Sequence, residues 1–231
     1  MAEGAGVHTV VLSPHLDDAV LSVGRFLAAS PGTVVVTVFA GIPDGPGLTR
    51  YDRSCGFATS QEAVLSRHRE DQRALDILGA DAVHLDFLDD QYHSKRDDDE
   101  IADALRSTIL SLGPTTVIGP IGSTHADHRA LGRIWPLALR SIADVVAYAY
   151  ADLPYTIGPS PRAAAEIEAF TRANRASPVN LPSGDVGLQA HALLAYASQL
   201  RHVSALTCLE APEKFWLLGD AQGSSYYGFS P

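Results

Sequence analysis

Cysteine is scarce in this chain. Cys55 and Cys208 are the only two cysteines among 231 residues, and neither stands in a CxxC pattern or beside a histidine. A disulfide framework and a cysteine-ligated zinc site are therefore excluded as organising features. Because unpaired, reduced cysteines are typical of cytoplasmic proteins, we expect a cytoplasmic location.

Long runs of one residue class are also missing. No apolar stretch approaches the roughly 20 residues that a transmembrane helix needs. The N-terminal segment MAEGAGVHTVVLS lacks the positively charged start of a secretory signal. No basic cluster occurs, and 27 acidic residues outnumber 17 lysines and arginines, which gives a formal net charge of −10. We therefore expect neither a membrane nor a nucleic acid as a partner.

The composition is that of a globular protein, with 46% hydrophobic and 19% charged residues. Short β-branched runs alternate with amphipathic segments along the chain. The clearest strands are predicted over residues 7–13, 33–41 and 115–120. The clearest helices are predicted over residues 18–29 and from an N-cap at Ser60 to a stop at Gly79.

Strands that alternate with helices favour a largely parallel sheet. We therefore predict an α/β fold: a single Rossmann-like domain over residues 1–231, with a mostly parallel sheet and helices on both faces. The pattern is clear over a core of residues 7–151 and weaker over the C-terminal part, residues 152–231. C-terminal apolar residues fit either a core or an interface, so the sequence leaves a homo-oligomer open. They are Phe215, Trp216 and Tyr226.

Ionisable side chains cluster in two turns, each between a predicted strand and a predicted helix. The stretch TVVLSPHLDDAVLSVG carries the first cluster and GSTHADH carries the second. The clusters are His15, Asp17 and Asp18, and His125, Asp127 and His128. In open α/β sheets, sites form outside the carboxyl ends of the strands, so the two clusters can meet there.

Two interpretations of these turns are open. The aspartates can simply cap helices, with the histidines of the second turn in solvent. Alternatively, two histidines and a carboxylate supply the ligand set that leaves a fourth position on zinc for water. Such a water becomes more acidic, and a neighbouring carboxylate can take its proton.

The segments PHLDDAVLS and HADHRALG resemble the two signature motifs of the LmbE-like, or PIG-L, family of zinc-dependent N-acetylglucosaminide deacetylases. The usual forms of these motifs are P/A-H-x-D-D-x-x-L/E and H-x-D-H. The intervening RHREDQRALDILGADAVHLDFLDD also resembles the R-x-x-E helix of the family, its Leu-Gly stop and its next strand. The resemblance spans about Val7 to Ala151.

The resemblance implies a role for each ionisable residue of the two turns. His15, Asp18 and His128 would bind zinc, with another divalent ion as the alternative. Asp17 would be the general base. His125 would be the general acid or an oxyanion stabiliser, and Asp127 would orient its ring.

The resemblance also implies two contacts to the sugar, Arg67 and Asp89. Arg67 equally fits a solvated helix face beside Glu70 and Asp71. For the second contact, Asp90 is the alternative to Asp89.

The sequence departs from the family pattern in two places. Gln189 and Tyr196 replace the lysine and the histidine of the C-terminal K-x-x-A-L-x-A-H-x-S-Q motif, whereas its Ser and Gln are retained as Ser198 and Gln199. Ser123 stands where some members carry a tyrosine that helps the oxyanion. Tyr92, Tyr155 or a backbone N–H could substitute for that tyrosine.

The function that this resemblance implies is zinc-dependent hydrolysis of an N-acetyl group. The expected substrate is a small-molecule amino sugar, or its glycoside or conjugate, and the products are a free amine and acetate. Two alternatives are a metal-dependent hydrolase of another bond, such as a phosphoester or a thioconjugate amide, and a catalytically silent sugar-binding protein. The sequence has no glycine-rich loop that could bind a phosphate group, which argues against phosphoester hydrolysis.

Overall fold

The computed structural model describes residues 8–92, 95–201 and 205–219 of the chain. A seven-stranded sheet runs through its centre in the order β3-β2-β1-β4-β5-β7-β6. The strands are β1 Thr9–Ser13, β2 Val34–Thr37, β3 Asp81–His84, β4 Thr116–Pro120, β5 Val146–Tyr150, β6 Ser177–Val179 and β7 Phe215–Leu217. The first five strands are parallel, and β7 pairs antiparallel with both β5 and β6.

Helices cover both faces of the sheet, as predicted. The helices are α1 Asp18–Ala29, α2 Arg50–Ser54, α3 Ser60–Leu78, α4 Asp98–Leu112, α5 Ala126–Leu139, α6 Pro161–Ala173, α7 Val186–Leu193 and α8 Ala205–Glu210. Alternate residues of β1 enter different cores: Leu12 packs with α4 and α5, whereas Val11 packs with α1 and α3. This period of two is expected of a strand that is buried on both faces. The predicted fold class is therefore confirmed.

Several element boundaries differ from those predicted. The strand expected over residues 33–41 is shorter and ends at Thr37, although the next two amides still donate to the carbonyls of Ser13 and Pro14 at the end of β1. The cap of α3 is Thr59, one residue before the expected Ser60, and Gly79 ends this helix in a left-handed conformation as predicted.

The C-terminal part completes the same sheet. Phe215 is buried in the core on one face of the sheet, and Trp216 packs against the core on the other face. Tyr226 lies outside the described residues. Glu213, just before β7, also stabilises α1. This helix is interrupted at Val23, which has a non-helical backbone conformation. The carboxylate of Glu213 accepts hydrogen bonds from the freed backbone amides of Arg25 and Phe26, at 2.7 and 3.1 Å.

The connection pattern places the two ionisable turns side by side. From β1 the chain moves to β2 on one side, and β4 later pairs with β1 on the other side. The carboxyl ends of β1 and β4 therefore flank the point where the strand order reverses, which is where ligands bind in open α/β sheets. One further property bears on partners: within the described ranges, every helix is too short or too polar to cross a bilayer.

Candidate metal centre and active site

The first turn, between β1 and α1, is held by Ser13. Its hydroxyl group donates to the carbonyl of His15 at 2.8 Å and accepts from the amide of Ala19 at 3.1 Å. Asp17 occupies the N-cap position of α1, yet its side chain makes no capping hydrogen bond. Capping therefore does not explain Asp17, whose side chain instead lines the cavity above the sheet.

The second turn, between β4 and α5, depends on two close backbone approaches. A Cβ atom at Gly132 would lie 2.3 Å from the carbonyl oxygen of Ile121, and one at Gly122 would lie 2.5 Å from that of His128. Gly122 also has a φ of +90°, which glycine tolerates best. These glycines let α5 begin directly against the sheet edge, which buries Asp127 and His128 in its first turn.

The cap of α5 is His125, whose Nδ1 accepts from the amide of Asp127 at 3.3 Å. Asp127 and His128 are 0% and 1% exposed. The alternative in which Asp127 caps the helix and both histidines face solvent is therefore wrong.

Asp18 joins the two turns. Its Oδ2 atom lies 3.1 Å from Nδ1 of His15 and 3.0 Å from Nε2 of His128. His15, His125 and His128 also offer ring nitrogens within 4.8 Å of one another, and His15 forms a second such group with Asp89 and Asp127. His15 belongs to both of these groups. Asp18 directly contacts His15 and His128, the two histidines that were predicted to bind zinc together with it.

The buried ring of His128 supports zinc as the ion for these residues. Its Nε2 has no hydrogen-bond partner among the described residues, although it faces the Asp18 carboxylate. Its Nδ1 lies 2.7 Å from Oδ1 of Asp152, which holds a hydrogen on Nδ1 and leaves Nε2, facing Asp18, as the nitrogen that would bind a cation. A cation between a ring nitrogen and a carboxylate satisfies both, and a set of two imidazoles and one carboxylate fits zinc.

Charges around the centre favour a cation. Burial opposes protonation of His15, but the neighbouring Asp89 and Asp18 outweigh it and raise the pKa of His15 to about 9. Burial likewise opposes protonation of His128, but Asp18 and Asp152 raise its pKa to about 9. Burial also disfavours ionisation of Asp18, yet His128 and His15 hold the pKa of its carboxyl group well below the usual range.

Asp17 behaves differently from its neighbour. Burial, followed by the negative charge of Asp18, raises the pKa of the Asp17 carboxyl group well above its usual value. A carboxylate with a raised pKa is a better proton acceptor near neutral pH. The two adjacent aspartates are thus electrostatically distinct: one is stabilised as an anion and the other is made more basic.

Asp152 is a residue of the centre that sequence reasoning missed. It follows β5, and its second oxygen accepts from the amide of Gly122 at 2.9 Å, so it braces both the His128 ring and the loop before α5. The available indication was its position, because it lies at the carboxyl end of a parallel strand, β5, as the two ionisable turns do for β1 and β4.

Asp127 contacts a different histidine from the one expected. Its Oδ2 lies 2.9 Å from Nε2 of His15 and accepts from the amide of Asp90 at 3.0 Å, whereas Nδ1 of His125 is 3.7 Å away. The carboxylate therefore orients the ring of His15. The His125 ring is instead oriented by the main-chain amide of Asp127. Arg96, which sequence reasoning did not single out, forms an ion pair with Asp127.

The protonation state of His125 also differs from that of the other two histidines. Burial, together with the positive charges of His15 and His128, lowers the pKa of His125 to about 4. Its Nδ1 already accepts a hydrogen bond, so the neutral ring carries its hydrogen on Nε2.

A cavity of about 360 Å³ opens above the centre, and both predicted sugar contacts line it. Arg67 is buried, pairs with Asp52 at 2.8 Å and lies 5.0 Å from the ring centroid of Tyr51. The solvated helix face proposed as an alternative for Arg67 is therefore wrong. Asp89 faces the cavity with its carboxylate 4.0 Å from Nε2 of His15, whereas Asp90 is exposed.

Two tyrosines were considered as replacements for the family tyrosine that helps His125 and the metal to stabilise the oxyanion, that is, as a second oxyanion donor. They differ in whether their hydroxyl groups are already engaged. Tyr92 donates its hydroxyl group to Asp52 at 3.1 Å. Tyr155 lines the cavity with its ring centroid 5.0 Å from that of His128, and its hydroxyl group makes no hydrogen bond to the described residues. Ser123 is fully buried and is not part of the cavity wall.

The two C-terminal departures from the family pattern have structural partners. Gln189 donates to the carbonyl of Val20, and Tyr196 donates its hydroxyl group to Asp71 at 2.7 Å. Neither residue lines the cavity.

The structure brings His15, Asp18 and His128 together at the switch point of an open α/β sheet, an arrangement that is able to hold a metal ion. A family model described as PIG-L: GlcNAc-PI de-N-acetylase matches residues 10–139. The chain is therefore a member of the PIG-L (LmbE-like) family. A comparison with curated proteins gave no match.

Solved structures of deacetylases are similar over nearly the whole chain. The zinc-inhibited form of teicoplanin deacetylase Orf2 is 25% identical, with 92% of this chain and 98% of that chain covered and a TM-score of 0.72. The A40926 pseudoaglycone deacetylase Dbv21 is 27% identical, with coverages of 95% and 99% and a TM-score of 0.74.

A more distant likeness concerns the fold alone. The N,N'-diacetylchitobiose deacetylase from Pyrococcus horikoshii is 15% identical, with coverages of 84% and 71% and a TM-score of 0.56. Together, the family match and the two closer structures confirm the predicted family, the predicted deacetylase class and its association with zinc.

Proposed function

We propose that this protein hydrolyses the N-acetyl group of an amino sugar that is part of a glycoside or larger conjugate, releasing a free amine and acetate. The observation that carries the proposal is the contact of Asp18 with both His15 and His128, with Asp17 next to them on the cavity wall. A conjugate is favoured because the two closer structures are named deacetylases of teicoplanin and of A40926 pseudoaglycone.

His15, Asp18 and His128 would hold the zinc ion. Zinc supplies Lewis acidity, which makes a water molecule more acidic and polarises the amide carbonyl group. Asp152 and Asp127 would keep the rings of His128 and His15 in place, through the hydrogen bonds of 2.7 and 2.9 Å described above.

Asp17 would handle the protons of the reaction. It takes a proton from the attacking water as the water oxygen bonds to the carbonyl carbon. The C–N bond then breaks as that proton passes to the nitrogen, which leaves as the amine, while the acyl group leaves as acetate. His125 stands on the opposite turn, where its neutral Nε2–H can donate a hydrogen bond to the oxyanion.

Tyr155 is our choice for the second oxyanion donor. Its hydroxyl group has no partner among the described residues, whereas that of Tyr92 is engaged by Asp52. Burial, followed by the charge of Asp18, raises the pKa of Tyr155, so that its phenol stays protonated and able to donate at neutral pH.

Arg67 and Asp89 would bind the sugar. Asp52 and the Tyr51 ring hold the Arg67 guanidinium group in one orientation. The Asp89 carboxylate is fixed by two hydrogen bonds from Gln91 at 2.9 and 2.8 Å. Preset donors and acceptors of this kind suit the hydroxyl groups of a sugar, and the cavity volume suits one sugar ring.

Two broader parts of the proposal concern the whole chain. We treat residues 1–231 as one domain, which is supported by β6 and β7 joining the sheet of the N-terminal part. We place the protein in the cytoplasm, which is supported by the free thiols of Cys55 and Cys208.

The test is detection of deacetylation by mass spectrometry across free and conjugated N-acetylglucosamine derivatives, with phosphomonoesters as the comparison. We expect amine products from N-acetyl substrates, loss of turnover after chelation and recovery with zinc. Full activity after exhaustive metal removal would overturn the mechanism. Cleavage of phosphoesters alone would favour the other hydrolase class, and sugar binding without turnover would favour a binding protein.

A further inference from the structure

Gln199 reaches the first ionisable turn from the far end of the chain. Its side chain is 6% exposed, and its Nε2 donates to the carbonyl oxygen of Leu16 at 2.9 Å, across 183 positions of sequence. Leu16 lies between His15 and Asp17. The carbonyl that accepts this hydrogen bond therefore belongs to the peptide group between Leu16 and Asp17, the predicted base.

The segment that carries Gln199 is anchored on α3. Ser198 donates its amide and its hydroxyl group to the Glu70 carboxylate at 2.9 and 2.7 Å, and Tyr196 donates to Asp71 at 2.7 Å. Both carboxylates are buried. Hydrogen bonds to ionised acceptors are about twice as strong as neutral ones, so Gln199 projects from a firmly held base.

Other bonds hold the turn on either side of this peptide group. His15 donates its amide to Asp18 at 2.9 Å, and Asp17 donates its amide to the carbonyl of His15 at 3.0 Å. The side chains of His15 and Asp18 contact Asp127 and His128 of the opposite turn. None of these bonds involves the Leu16 carbonyl, which Gln199 binds from a third part of the fold.

We propose that Gln199 is a positioning residue, which fixes the peptide group between Leu16 and Asp17 so that His15 and Asp18 face the metal while Asp17 faces the substrate. This inference rests on the proposed function. Displacement of a catalytic group by about 1 Å can cost on the order of 100-fold in rate, so one neutral hydrogen bond to this peptide matters more than its own strength suggests.

The test substitution is Gln199→Met, which keeps the length and apolar volume of the side chain and removes the donor. We expect the zinc dissociation constant, measured with zinc alone against a competing chelator, to rise about 10-fold, and kcat at saturating zinc to fall about 10-fold, with KM unchanged. Because Gln199 also lines the cavity, a rise in KM alone would make it a substrate contact and overturn the proposal.

Gln189→Met is the matched control. Gln189 is 1% exposed and also donates to a backbone carbonyl, that of Val20 at 2.8 Å, but within α1 rather than in the turn. We expect this variant to lower the melting temperature with zinc affinity close to that of the natural chain. Equal losses of zinc affinity in both variants, at equal loss of melting temperature, would reduce Gln199 to a structural role and overturn the proposal.

Ser198→Ala provides a milder second variant that keeps the backbone amide bond to Glu70. We expect zinc affinity to fall in this variant as well, by a smaller factor than in Gln199→Met. Unchanged zinc affinity in both variants would overturn the proposal. The zinc measurement needs no substrate. If the natural chain binds zinc but deacetylates no sugar, the proposed function fails, while the role of Gln199 in zinc binding is still judged by the variants.

Discussion

Nδ1 of His128 lies 2.7 Å from Oδ1 of Asp152, and both side chains are 1% exposed. In this arrangement the carboxylate selects the tautomer of a buried imidazole whose other nitrogen faces Asp18. The residue that orients the proposed ligand His128 therefore comes from the segment after β5, which carries neither recognised motif.

Asp152→Asn tests this relationship. An amide keeps the shape of the carboxylate but not its charge, so the His128 ring becomes a weaker ligand. We expect zinc affinity to fall about 10- to 100-fold, measured by chelator competition. Asp76→Asn, on the exposed side of α3, is the control and should leave zinc affinity unchanged. An Asp152→Asn protein with natural zinc affinity would contradict the orienting role.

Asp17→Asn separates base from ligand. We expect zinc content to be retained, since Asp17 is not among the three proposed ligands, and kcat to fall about 100- to 10,000-fold because the proposed proton acceptor is gone. His128→Ala should lose both zinc and turnover. Elemental analysis alongside a turnover assay measures both quantities, and near-natural turnover in Asp17→Asn would show that another group accepts the proton.

Tyr155→Phe removes one hydroxyl group from the cavity wall. If that group donates to the oxyanion, kcat should fall about 100- to 1,000-fold with little change in KM, because the bond forms only in the transition state. Tyr148→Phe, on β5 and away from the cavity, is the matched control. Equal kcat values for Tyr155→Phe and the natural chain would leave the oxyanion to His125 and zinc.

Arg67→Lys addresses substrate binding. The planar guanidinium is fixed by Asp52 and Tyr51, and an ammonium group cannot reproduce that geometry. We expect KM for the amino-sugar substrate to rise about 10-fold, as loss of one charged hydrogen bond implies, with a smaller effect on kcat. The exposed Arg69 gives the control Arg69→Lys. A change in kcat with KM intact would place Arg67 in the chemical step instead.

The sequence pattern was sufficient to predict that the two ionisable turns meet, because each turn follows a β-branched strand and parallel strands bring their carboxyl ends to one edge. The choice of His15, Asp18 and His128 within these turns came from the family resemblance. The fold class followed from the same alternation. Whether Asp17 caps a helix or faces a cavity depended on side-chain geometry, which periodicity does not encode, and the structure decided it.

The supporting residues could not be predicted in the same way. Asp152 and Arg96 contact the centre through tertiary packing, with no fixed spacing from either motif. Gln199 matches the C-terminal pattern of the family, but that pattern did not reveal its contact with Leu16. The orientation of Asp127 toward His15 instead of His125 depended on a distance between two turns that are 112 positions apart in sequence. Motif patterns record local spacing, whereas these contacts depend on how distant segments meet.

The interruption of α1 at Val23 bears on how small an active fragment of this protein can be. The family match ends at residue 139, so a fragment cut there would contain all three proposed ligands and the proposed base. It would lack Glu213, which satisfies the amides freed at the interruption, as well as Asp152 and Gln199. Its first helix would present unpaired amides in a region that is buried in the whole chain. The smallest catalytic unit therefore extends at least to β7, well beyond the motifs by which the family is recognised.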